Sequence, residues 1–219
     1  MSTIQYTTLL LSYHLTNKIT TKIFKFATFH ILCYNLFMNQ KALQRSIFMT
    51  TYTHLSPSPL GDLLLSADDT GLTGLWFEDQ KYYAAGLTSD IINTKTCSEH
   101  PIFTQTQKWL NLYFKGMEPD FTVPIHLTGT DFQKKIWALL LEIPYGETTT
   151  YGTLAKKYAQ KHGLSHMSAQ AVGSAIGHNK IGILVPCHRV LGADGSLTGY
   201  AGGLDKKKRL LRLEGILQS

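Results

Sequence analysis

The pentapeptide Pro186-Cys187-His188-Arg189-Val190 sets a thiol directly beside an imidazole. A histidine next to a cysteine can take or polarise the thiol proton, directly or through a water, and so turn a weak nucleophile into a strong one. Most single cysteines are inert, buried, small hydrophobes, so the pair needs support from its surroundings. The apolar run Ile181-Gly182-Ile183-Leu184-Val185 leads into it, and a glycine-rich stretch leads out. We read the run as a buried strand that ends by presenting Cys187. Asn179 lies just before it, where its side chain can bond backbone groups and lock the bend. A helix C-cap is the ordinary role for such an asparagine, and the two roles are compatible.

The elements that must carry this pair are helical from Thr130 onward. Asp131 is read as the cap of a helix with Phe132, Ile136, Leu139, Leu140 and Ile143 at helical spacing, stopped by Pro144-Tyr145-Gly146. Thr150 caps a second helix, from Tyr151 to about Gln160. Ser168 caps a third, from Ala169 to about Gly177. Two short helices joined by a loop suggest a helix-turn-helix. The third helix reads Ala169-Gln170-Ala171-Val172-Gly173-Ser174-Ala175-Ile176-Gly177. Interior glycines cost about 1 kcal/mol each. So slim a helix either packs closely on a neighbour or enters a narrow groove. A major-groove reader would carry several long polar side chains. Gln170 is alone here, which favours the minor groove and little sequence selectivity.

The segment before Thr130 reads as a small sheet with helical cover. Thr51 to Leu55 is a strand, Leu63 to Ser66 and Leu72 to Phe77 form a hairpin about Asp68-Asp69-Thr70-Gly71, and Phe121 to Leu127 is a further strand. Pro101 to Phe114 is a helix stopped by Gly116. No chemistry is visible in this segment. His54, His100 and His126 are isolated, which points to structural roles rather than to metal. The expected fold is α+β: a small N-terminal sheet domain with helical cover over 49–128, then a mostly helical, winged helix-turn-helix-like DNA-binding and catalytic domain over 129–219.

Composition bounds the rest. With 219 residues and 43% hydrophobic content there is enough chain for one or two domains with a proper core. Cys33, Cys97 and Cys187 are an odd number at wide spacing. That is neither a disulfide framework nor a zinc signature, and a reducing cytoplasm is the simplest home. Residues 1–48 hold five Lys/Arg and no acids, 49–130 four against nine, and 131–219 twelve against six. The basic last part suits a polyanion; a solvated face such as Lys206-Lys207-Lys208-Arg209 explains it equally well. Ile23 to Met38 is too short and too interrupted by Lys25, His30 and Asn35 to span a membrane, and no signal-peptide cleavage site follows it. Our hypothesis is that residues 1–48 are a poorly packed extension upstream of the true start at Met49. An intact mass beginning before Met49 would reject it.

An ordered set of motifs goes further. Asn179, the run Ile183 to Gly192 through Pro186-Cys187-His188-Arg189-Val190, Gly199-Tyr200-Ala201-Gly202-Gly203-Leu204, and Leu210-Leu211-Arg212-Leu213-Glu214-Gly215 resemble the methylated-DNA–protein-cysteine methyltransferases, or O6-alkylguanine-DNA alkyltransferases. The resemblance is strong from about 131 to 215, one of layout over 49–130, and absent over 1–48. It implies a monomeric repair protein that binds double-stranded DNA carrying O6-alkylguanine through the minor groove, without sequence preference, cofactor or metal. It would move the alkyl group irreversibly onto itself, once. Cys187 would be the acceptor, His188 the base acting through a water, Glu214 the group that orients the imidazole, and Asn179 the hinge. Tyr151 would contact the lesion base, help to rotate it out and donate toward ring N3. Tyr200, Ala201 and Gly202 would close the pocket, with the Ala201 amide near O6. The Val190 carbonyl would accept from the exocyclic amine. Ala169, Gln170, Ala171 and Ser174 would face DNA.

The sequence departs from that pattern at Gln170, where many members carry an arginine that fills the hole left by the base. It departs again at Lys180, where proline is frequent, and at Gly182, which replaces a second proline of some members, and both bear on pocket rigidity and on tolerance of bulky alkyl groups. The mammalian zinc ligands have no counterpart in Cys33 and Cys97. Other classes remain in view. A non-catalytic lesion-binding relative would lack the cysteine. A cysteine hydrolase would need an oxyanion site of which the sequence shows no signature. A transcriptional role would need a regulatory domain that is not visible.

Overall fold

The computed structural model describes residues 50–88 and 99–218. The expectation for residues 1–48, together with Cys33 and Cys97, lies outside the described residues. Thr50 to the C-terminus forms one compact unit.

Its sheet is an antiparallel meander of β1 (Tyr52–Ser56), β2 (Leu63–Ala67) and β3 (Leu72–Phe77), in that order. Leu63 pairs with Phe77 and Leu65 with Leu75. β2 and most of β3 are buried, because helix α1 (Pro101–Tyr113) and the second half of the chain cover the sheet. The turn between β2 and β3 is set by Asp68, whose Oδ1 accepts from the amides of Thr70 and Gly71. The other oxygen of that carboxylate holds His126 Nδ1 at 2.5 Å, a structural role for that histidine. The expected strand from Phe121 to Leu127 does not form. Pro124 has no amide to give a ladder, and only Ile125 bridges to Leu72.

Four helices complete the unit: α2 (Asp131–Leu140), α3 (Tyr151–Lys161), α4 (Ala169–Gly177) and α5 (Leu204–Leu213). The cap of α2 is Thr130 rather than Asp131. Its hydroxyl accepts from the Gln133 amide while the Gln133 side chain accepts from the Thr130 amide, a reciprocal capping box. α3 and α4 start at the expected caps, Thr150 and Ser168. They pack on each other and on α2, and the Trp137 indole donates to the Ala175 carbonyl at 2.8 Å. A two-residue parallel pair, β4 (Thr149–Thr150) with β5 (Val190–Leu191), ties the start of α3 to the exit of the Cys187 turn. One apolar cluster runs from Leu65, Leu75 and Phe103 through Ile136, Val172 and Val185 to Cys187 and Leu210, so both halves of the unit share a core. The α+β architecture, with a small sheet followed by a helical region, is the one expected.

Candidate active site and DNA-binding face

The run before Cys187 is not a strand. Ile181 makes a single bridge to Leu75, and tight turns follow. Gly182 can flex. Ile183 takes φ +65°, a left-handed conformation rare for a β-branched residue. The amides of Leu184 and Cys187 each bond back two residues, at 2.7 and 2.8 Å. The bend is locked by Asn179: its Nδ2 donates to the Val185 carbonyl at 2.9 Å and to Cys187 Sγ at 3.2 Å, and its Oδ1 accepts from the Ile181 amide. The hinge asparagine therefore also touches the thiol. β3 grips the same segment, with the Leu75 amide donating to the Lys180 carbonyl at 2.8 Å and the Gly182 amide to the Leu75 carbonyl at 2.9 Å. A proline at 182 could not make the second bond. The pairing to β3 supplies rigidity that proline would supply elsewhere.

Cys187 opens a short 3-10 turn, Cys187–Arg189, and is buried. Burial pushes its thiol pKa up, while the Asn179 bond and the charge of Lys207 pull the other way. His188 is fully buried, and its Nε2 lies 2.7 Å from Glu214 Oε1. The Glu214 carboxyl is pushed up by burial, but hydrogen bonds from His188 and Arg189 and the charge of Arg189 outweigh this and hold it at about 2. As a carboxylate it can only accept, so Nε2 carries the proton and the lone pair of the neutral ring sits on Nδ1. Nδ1 is buried and has no hydrogen-bond partner among the described residues. Desolvation lowers the His188 pKa against the opposing pull of Glu214, which favours the neutral ring.

Glu214 is far from an exposed helix-end charge. Arg189 donates to it twice, Nε to Oε2 at 2.8 Å and Nη2 to Oε1 at 3.0 Å, and spends Nη1 on the Ile143 carbonyl. Tyr113 donates its phenol to Oε1 at 2.7 Å, and the Gly146 amide approaches Oε2 at 3.3 Å. The segment before Thr130 thus contributes chemistry after all, through Tyr113. Lys207 corrects another reading. It is no part of a solvated lysine face but fully buried, donating from Nζ to the Val190 carbonyl at 2.6 Å and the Thr198 carbonyl at 2.7 Å. Burial lowers its pKa to about 8, so it is mostly charged at neutral pH. The signal was available: Lys207, Leu210, Leu211 and Glu214 recur at helical spacing on one buried face of α5. Arg189 stood in the opening pentapeptide. Tyr113 had no local signal.

A cavity of about 360 Å³ opens onto Cys187, and Tyr151, Gly173, Ser174, Gly199, Tyr200 and Ala201 line it. Tyr151 is half-buried at the first position of α3, beside the slim face of α4: a Cβ on Gly173 would sit 3.4 Å from its ring. Its hydroxyl lies 3.2 Å from the Thr198 carbonyl and 3.4 Å from that of Gly199, so in this state it donates to the loop. Gly202 is buried where a Cβ would come within 2.9 Å of the Tyr200 ring and 3.0 Å of Phe77. Val190 is buried, and its carbonyl already receives Lys207 on one side. Ala169, Gln170 and Ser174 are exposed on α4 and Ala171 is half-exposed, whereas Val172, Ala175 and Ile176 face the core. The chain therefore brings together Cys187, His188, Glu214 and Asn179, sets Tyr151, Tyr200 and Ala201 around the same cavity, and leaves the α4 residues as an outer face.

A helix pair with one open face stands over a buried thiol beside an imidazole and a carboxylate, the layout of a class of helix-turn-helix proteins built around a cysteine. Comparison with known proteins agrees. Residues 49–127 match the 6-O-methylguanine DNA methyltransferase, ribonuclease-like domain, and residues 131–216 match the 6-O-methylguanine DNA methyltransferase, DNA binding domain. The methylated-DNA–protein-cysteine methyltransferase of Mycobacterium bovis is 43% identical over 72% of this chain and 88% of the relative. That of Methanosarcina acetivorans is 42% identical over 75% and 98%. The crystal structure of Mycobacterium tuberculosis OGT in complex with DNA is 43% identical, covers 74% of this chain and 92% of its own, and superposes with a TM-score of 0.61. The chain belongs to the methylated-DNA–protein-cysteine methyltransferase family.

Proposed function

We propose that this protein binds duplex DNA with α4 in the minor groove, turns an O6-alkylguanine out of the stack into the cavity above Cys187, and takes the alkyl group onto that sulfur in a single turnover. The observation that carries this reading is a buried pair of Glu214 and His188, the residue directly after Cys187 in the chain, with Cys187 lining a cavity that Tyr151 and α4 border. The reactive carbon is inaccessible in a stacked duplex, so flipping, at about a few kcal/mol, comes first. Exposed Ala169, Gln170 and Ser174, with half-exposed Ala171, give α4 a low profile suited to a narrow groove. Gln170 fills the space left by the base without adding charge, which makes docking there less salt-sensitive than an arginine would. Tyr151 stands where it can press on the base, and its hydroxyl exchanges its loop carbonyls for ring N3.

The thiol proton passes through a water to His188 Nδ1. Glu214 holds the ring by Nε2 and stabilises the imidazolium that forms. The thiolate attacks the alkyl carbon in line, forming S–C as C–O6 breaks. The electron pair goes to O6 and into the ring, Tyr151 supports it with a hydrogen bond at N3, and the proton held by His188 passes back through solvent to the guanine ring, which closes the balance. The Ala201 amide serves O6, and the second lone pair of the Val190 carbonyl serves the exocyclic amine. The product is a thioether with no leaving group, so water cannot regenerate Cys187.

The test is the intact mass of the protein after incubation with duplex DNA carrying one O6-methylguanine. A single methyl on the Cys187 peptide, in at most one equivalent, is expected. Multiple turnovers, or transfer that survives Cys187→Ala, would reject the mechanism.

A further inference from the structure

The residues assigned so far to the pocket all follow Thr150, yet part of its rim comes from the sheet half. Beyond β3 the chain continues directly over the cavity, where Lys81 and Tyr82 line it together with Cys187. The Lys81 amide donates to the Ala201 carbonyl at 2.9 Å, which pins this segment to the pocket loop. The Tyr82 ring then stacks on His178, with centroids 4.5 Å apart and planes 23° apart. His178 is itself fixed, its Nδ1 donating to the Ser174 carbonyl of α4 at 2.7 Å. The Lys81 ammonium lies 4.8 Å from the centre of the Tyr82 ring on its own side. Tyr82 holds φ +62° and Ala84 φ +53°, so two non-glycine residues sit in the left-handed region within one short stretch. Such strain persists only where surrounding contacts over-determine it, and it collects at functional sites. Tyr82 is also exposed, at 42%, so core packing does not explain its placement.

In-line displacement fixes the transferred carbon between O6 and Cys187 Sγ. Any atoms beyond that carbon must project sideways into the cavity. On the reading that Cys187 accepts the alkyl group, we infer that Tyr82, braced by His178 and by the Lys81–Ala201 bond, is a specificity-determining wall that limits the size of the alkyl group accepted. Methyl has no atoms to meet the wall. A benzyl or butyl group meets the Tyr82 ring.

The test compares single-turnover transfer to the full-length protein from duplexes carrying O6-methylguanine and O6-benzylguanine. Tyr82→Ala raises the benzyl-to-methyl rate ratio about fivefold or more, the size of effect that one altered apolar contact produces. Tyr82→Phe keeps the ring and keeps the wild-type ratio. Tyr82→Gly removes the ring in the residue best suited to φ +62°, so it separates the wall from any folding defect of the alanine variant and raises the ratio likewise. Thermal midpoints are recorded for all three. A ratio unchanged in both ring-deleting variants, or shifted equally by Tyr82→Phe, overturns the wall. Absence of methyl transfer in the wild-type protein would instead overturn the proposed function on which the wall rests.

Discussion

Glu214→Gln is the sharpest perturbation of the relay. The carboxylate takes two bonds from Arg189, one from His188 and one from Tyr113, all at 3.0 Å or less, while buried. Glutamine keeps one acceptor oxygen and turns an NH2 donor toward the rest. If the oxygen faces His188, the amine meets Arg189 Nε donor to donor. If it faces Arg189 Nε, the amine meets His188. Either way the buried guanidinium loses its counter-charge. Breaking a buried pair by removing one partner costs about 3–5 kcal/mol, a large share of a typical total of about 5–15 kcal/mol. Denaturant melts at neutral pH check the loss. A double-mutant cycle with Arg189→Met should return a coupling of about 2 kcal/mol. Single-turnover methyl transfer, with the His188 tautomer no longer fixed, should slow by about 100-fold or more. A stability loss under about 1 kcal/mol with no coupling, or an unchanged transfer rate, would refute the placement of Glu214 at the centre of the network.

The same carboxylate predicts acid behaviour. Its folded pKa of about 2 lies below the ordinary 4.5, so its contribution, on the order of 3 kcal/mol, is complete above pH 4.5 and disappears as pH falls toward 2. Melts across that window should show the loss in the wild type and a shallower one in Glu214→Gln. Lys207→Met leaves the buried Val190 carbonyl and the Thr198 carbonyl without their donor and should cost about 1–3 kcal/mol by thermal melt. Gly202→Ala drives a methyl into Tyr200 and Phe77 and should cost about 1–3 kcal/mol by thermal melt, with slower transfer. Tyr151→Ala should slow transfer from duplex DNA more than from the free modified base; equal slowing would argue against a role in flipping.

Local signals made the helices legible. The hydroxyls of Thr150 and Ser168 do cap α3 and α4, accepting from the amides of Thr153 and Ala171. The hairpin about Asp68 was marked by its turn residues. The run from Ile181 to Val185 misled because five apolar residues in a row read as a buried strand, while a single left-handed φ at Ile183 turns the chain instead. Glu214 was placed by resemblance, since it lies 26 residues from His188. Tyr113 is 101 residues from the carboxylate it serves, and no pattern in a single sequence spans that gap. Lys207 was hidden by its charged neighbours; only the period of α5 sets it apart from Lys206 and Lys208. Lys81 and Tyr82 were passed over in a segment that read as featureless.

The short ladder between β4 and β5 pairs Thr149 with Val190 and Thr150 with Leu191. Tyr151 follows one strand directly, and Cys187 stands three residues before the other. The separation between the Tyr151 ring and the Cys187 sulfur, which the proposed function makes the base-pressing and alkyl-accepting groups, is therefore a backbone dimension, like the fixed jaw of a caliper. Inserting one residue between Gly146 and Thr149 would let the ladder slip. If α3 took up the extra residue, its side chains would turn by about 100°, and the caliper would close on nothing even with every catalytic group intact.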